Sequence, residues 1–104
     1  MTAETSPAAT EFVLFLERQE LRFTGWLLAS LTSNDGSAEK VANHTDLDVY
    51  RTTEGRFVAV RRTTNRGDVV YHKAHVCTSR RAAQDWLGFG ALSCELYEEL
   101  RWPL

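Results

Sequence analysis

A chain of 104 residues, 43% hydrophobic and 25% charged, has the composition of one folded domain and not of a disordered segment. Its longest apolar run, Phe12 to Leu16, stops far short of the roughly 18–20 residues a membrane-spanning helix needs. The start, MTAETSPAATE, lacks the basic region of a secretory signal, and Cys77 and Cys94 are too few for a disulfide framework, so a reducing cytoplasm is the expected compartment.

The net charge of −2 is unevenly spread. Residues 1–39 hold six acids against two arginines, a balance of −4. Residues 40–81 hold nine bases against four acids, a balance of +5, and residues 82–104 return to −3. Such a split marks either a binding face for an anionic partner or a basic sheet neutralised by acidic helices beside it.

Residues 1–10 are small and polar and read as a flexible start. Ser6-Pro7 has the form of a helix N-terminus, with serine as cap and proline at the first helical position. The spacing of Phe12, Val13, Phe15 and Leu16 then predicts an amphipathic helix over 7–18, although a buried strand shows the same short run. From Leu21 the period becomes two. Leu21, Phe23, Leu27, Ala29 and Leu31 alternate with Arg22, Thr24, Trp26, Leu28 and Ser30, which predicts one long strand with Gly25 as a bulge or close approach. Thr32 to Thr45 is a long polar connection, with Asn34-Asp35-Gly36 as its turn signal.

Three strands follow: Leu47–Thr52, Arg56–Thr63 and Val69–Cys77, joined through Thr53-Glu54-Gly55 and Asn65-Arg66-Gly67-Asp68. Connections this short require antiparallel neighbours, hence a meander. Thr78-Ser79 supplies N-capping hydroxyls for a helix from Arg80 to Leu87, and Gly88-Phe89-Gly90 breaks it. Helical character resumes from Ala91 to Trp102, where Leu92, Leu96 and Leu100 share a face and Glu95, Glu98 and Glu99 point away. The predicted fold is α+β: an antiparallel meander of about four strands, with C-terminal helices broken at Gly88–Gly90 packed on one face. The predicted core is Leu21, Phe23, Leu27, Ala29, Val58, Val60, Trp86, Leu87, Leu92 and Leu96.

Chemistry-bearing motifs are scarce. His72, His75 and Cys77 have the residue types of a zinc site, but strand alternation sends His72 to the face opposite His75 and Cys77. A Cys77–His75 or Cys77–His44 nucleophilic pair has no supporting motif around it. No phosphate loop, GxSxG, HExxH or CxxC pair is present, so no cofactor, metal or catalytic residue is assigned. The favoured expectation is a small non-catalytic interaction or regulatory protein — a subunit, an inhibitor or an immunity-type protein. Trp26, Phe89, Tyr97 and Trp102 would be its partner surface, and self-association through a sheet edge or the C-terminal helix is part of that expectation. The alternative is nucleic-acid binding by the basic region 51–81, through Arg51, Arg56, Arg61, Lys73 and Tyr71. A further alternative is a small ribonuclease-like enzyme using His72 or His75.

Overall fold

A computed structural model describes residues 8–33 and 44–103. Five strands and two helices follow one another: β1 (Thr10–Phe15), β2 (Glu20–Thr32), β3 (His44–Thr52), β4 (Phe57–Asn65), β5 (Asp68–Cys77), α1 (Arg80–Leu87) and α2 (Ala91–Leu100). The strands form one antiparallel sheet in the order β1-β2-β3-β4-β5, the meander that the short connections require. The β4–β5 hairpin turns on Arg66 and Gly67, both at positive φ, the geometry of a two-residue loop matched to strand twist. The expected helix start at Ser6-Pro7 and the turn at Asn34-Asp35-Gly36 lie outside the described residues.

The predicted helix over 7–18 is corrected to a strand. β1 pairs with β2 from Thr10↔Gly25 to Phe15↔Glu20, and Phe12 and Leu14 share one face. The helical spacing of Phe12, Phe15 and Leu16 was coincidental, because Phe15 is 71% exposed and only the alternating pair packs inward. A fifth strand is thereby added to the expected four.

The single buried side expected along β2 is also corrected. Its register against β3 slips between Leu27 and Ala29, so Leu28 is an extra residue and the strand changes face there. Leu21 and Phe23 pack on one side of the sheet with Tyr50, Val58 and Val60, whereas Ala29 and Leu31 pack on the other with the helices. Leu27 leaves the predicted core altogether and is 48% exposed.

The two halves of β2 have different neighbours. Residues 20–25 pair with β1, and residues 25–32 pair with β3. At Gly25, where the two regimes meet, a Cβ would fall 1.9 Å from the Arg51 carbonyl oxygen. Only glycine allows this approach. The Thr53 amide donates to the Thr24 carbonyl at 2.9 Å and fixes the same corner. From here the β1–β2 hairpin curls over the meander and carries Phe12, Leu14, Leu21 and Phe23 onto Tyr50, Val58, Val60 and Ala74. Phe12, Phe23 and Tyr50 form a mutual ring cluster, with centroids 4.8–5.4 Å apart. The hairpin tip reaches β5, where the Glu17 carboxylate accepts from the His72 amide at 2.8 Å.

The opposite face carries the helices as expected. Leu47, Val49, Phe57, Ala59 and Cys77 meet Ala83, Leu87, Leu96 and Tyr97. Ser79 caps α1, its Oγ accepting from the Ala82 amide at 3.1 Å. Gly88, at φ 83°, ends α1, its amide donating to the Gln84 carbonyl at 2.7 Å. The chain is thus three layers deep at its centre: helices, meander, hairpin.

Candidate functional site

The residues expected to bind nucleic acid do not form one patch. By register Arg51, Arg61, Tyr71 and Lys73 lie on the helix-bearing face, and Arg56 lies in the β3–β4 connection. Arg61 and Lys73 are cross-strand partners. Arg51 sits opposite Phe57, four residues away along β4, which at a strand rise of ~3.3 Å is about 13 Å. Three of the four cations are engaged within the fold. Arg61 donates to the Leu87 carbonyl at 2.8 Å, at the C-terminal end of α1 where positive charge is favourable. The Arg51 guanidinium stands 5.2 Å from the Phe57 ring centroid, and the Lys73 ammonium 5.3 Å from that of Tyr71.

The expected partner aromatics divide as well. Tyr97 is fully buried, so it presents no surface: its hydroxyl lies 2.5 Å from the Gly88 carbonyl and 3.1 Å from that of Gln84. Burial first, and then the nearby Cys94, push its phenol pKa up. Trp102 is half-buried, edge-on to Phe57 and stacked near Tyr97. Phe89 is 58% exposed in the break between α1 and α2. Trp26 is half-buried on β2, opposite Arg51.

The histidines are separated as strand alternation requires. His72 pairs across β4 with Arg62, on the hairpin-covered face. His75 pairs with Ala59 on the helix face, where its ring stacks on Trp86 at 5.9 Å. Cys77 is a buried free thiol whose pKa is raised by burial, the opposite of an activated nucleophile. Among the described residues no group of three or more His, Cys, Asp or Glu side chains converges as a metal site.

A polar row crosses the hairpin-covered face beyond the aromatic cluster: Thr32, Asp46, Arg62 and His72, one from each of β2 to β5. Asp46 is buried and accepts from Thr32 Oγ1 at 2.6 Å and from two Arg62 nitrogens at 2.9 and 3.1 Å. Burial works to raise its pKa, but the bonds from Thr32 and Arg62 and the charges of Arg62 and His44 outweigh it, and the carboxyl is held below its usual value. Both Arg62–Asp46 contacts lie within the fold, so the row reads as a structural clasp.

The feature that sequence reasoning missed is the outer edge of β2. Past Trp26 the strand is bonded to β3 on one side, and among the described residues no strand pairs with its other side. Alternate residues of such a strand direct N–H and C=O groups away from the sheet. The other two open edges carry protective charge. β1 has Glu11, and β5 has Asp68 and Lys73 as well as the Glu17 bond at His72. The stretch Trp26 to Thr32, WLLASLT, carries none, and its bulge leaves Leu27 and Leu28 48% and 42% exposed. On the helix side, Leu31 and the glutamates Glu95, Glu98 and Glu99 of α2 line a shallow groove of about 360 Å³ along this edge. The charge-free run was legible in the sequence. Which neighbour it lacked was not.

No family model matches the chain, and no curated protein or solved structure is significantly similar to it.

Proposed function

We propose that the protein is a non-catalytic interaction module whose recognition element is the outer edge of β2, which receives an extended segment of a protein partner as an added strand. The observation that carries this reading is the run 27–32, uncharged and paired on one side among the described residues, with Leu27 and Leu28 exposed at its bulge. Strand addition draws affinity from main-chain hydrogen bonds and specificity from alternate side chains, and this edge offers both. Natural edges are usually guarded by charge, proline or a covering element, so an unguarded one has a use or a partner. Catalysis has less support, because Cys77 is buried and His72 and His75 lie on opposite faces. Nucleic-acid binding has less support because Arg51, Arg61 and Lys73 are engaged within the fold.

A photo-crosslinking residue in place of Leu28 tests the reading in the cells that make the protein. An adduct is expected at Leu28, with little at the control position Phe15, which is more exposed but lies at the hairpin tip. Equal yields at both positions, or no adduct at Leu28, would contradict it.

A further inference from the structure

We infer that the segment received by β2 is basic, with lysine or arginine at alternate positions on its helix-facing side; this rests on the strand-addition reading above. Glu95, Glu98 and Glu99 lie three and four residues apart on an exposed helix surface, where like charges repel and weaken the helix. Among the described residues none of the three forms an ion pair, although the fold pairs other carboxylates, such as Asp46 with Arg62 and Glu20 with Arg22. With Leu31 they line the groove beside the uncharged edge.

A strand added to β2 runs ~4.8 Å from it, in the plane of the sheet, and every second side chain points to the helix side. Those side chains would lie beneath the three carboxylates. Lysine or arginine there meets uncompensated negative charge, and glutamate or aspartate meets repulsion. The same geometry disfavours a second copy of this chain. Antiparallel pairing of two identical edges places the two-fold axis perpendicular to the sheet, so both copies of α2 lie on one face. Their acidic rows then confront each other across the seam.

The test uses three seven-residue strand-forming peptides, identical except for lysine, threonine or glutamate at alternate positions. Each carries a fluorophore for anisotropy at an ionic strength of about 0.05 M, low enough to leave surface charges weakly screened. The lysine peptide is expected to bind about tenfold more tightly than the threonine peptide, and the glutamate peptide most weakly. The advantage should vanish in the triple variant Glu95→Gln, Glu98→Gln, Glu99→Gln, and Leu28→Lys should weaken all three peptides. Equal binding of the three peptides, with Leu28→Lys still disruptive, would overturn the basic partner and leave the edge reading standing. No binding by any peptide, or lysine-peptide binding unaffected by Leu28→Lys, would overturn both.

Discussion

Asp46 shows how a charge enters this sheet without becoming a site. Its carboxylate is satisfied by Thr32 and Arg62 on neighbouring strands, and those bonds hold its pKa below the usual carboxylate range despite burial. A depressed folded-state pKa contributes stability that is present above the unfolded value and lost as pH falls through the folded one. Asp46→Asn should therefore be less stable than the parent at neutral pH, and the gap should close as pH falls below about 4. Thermal unfolding across that range checks this; a gap that stays constant with pH would mean the carboxylate charge does not matter. The sequence pattern starts the strand only at Leu47 and shows nothing of the Asp46 clasp, because Thr32 and Arg62 are 14 and 16 residues away and become neighbours only through strand register.

β2 departs furthest from its sequence pattern and defines the shape of the fold. Eleven residues of alternation read as one strand with one buried side, but a bulge at Leu28 and a tight corner at Gly25 give it two partners and two buried sides. Alternation counts residues and is blind to a single insertion, so Leu27 was placed in the core that it leaves. The glycine was a visible warning whose consequence depended on Arg51, 26 residues further on. Gly25→Ala should cost about 2–4 kcal/mol, since its methyl collides with backbone at Arg51 and Thr52 and not with a yielding side chain. Chemical denaturation measures this; a variant as stable as the parent would show that the corner opens easily. The helices follow their sequence signals more closely. Ser79 and Gly88 are local signals, and local signals survive folding unchanged.

Over the whole molecule, the charge asymmetry seen in composition resolves into two arrangements. Several bases of this stretch have partners within the chain: Arg61 on a helix end, Arg62 on Asp46, Arg51 and Lys73 on rings. Among the described residues Glu95, Glu98 and Glu99 of the acidic C-terminal stretch form no ion pair, and they stand beside the uncharged edge of β2. Composition alone leaves open whether the basic region is a binding face or is neutralised by its neighbours, because charge counts do not show which charges find partners. Backbone amide hydrogen exchange decides whether residues 27–32 form an open edge. In the free protein, amides within 27–32 that point toward β3 should be protected, while those alternating with them exchange orders of magnitude faster. Uniform slow exchange along the whole run would contradict the account, because it would mean the edge is already covered.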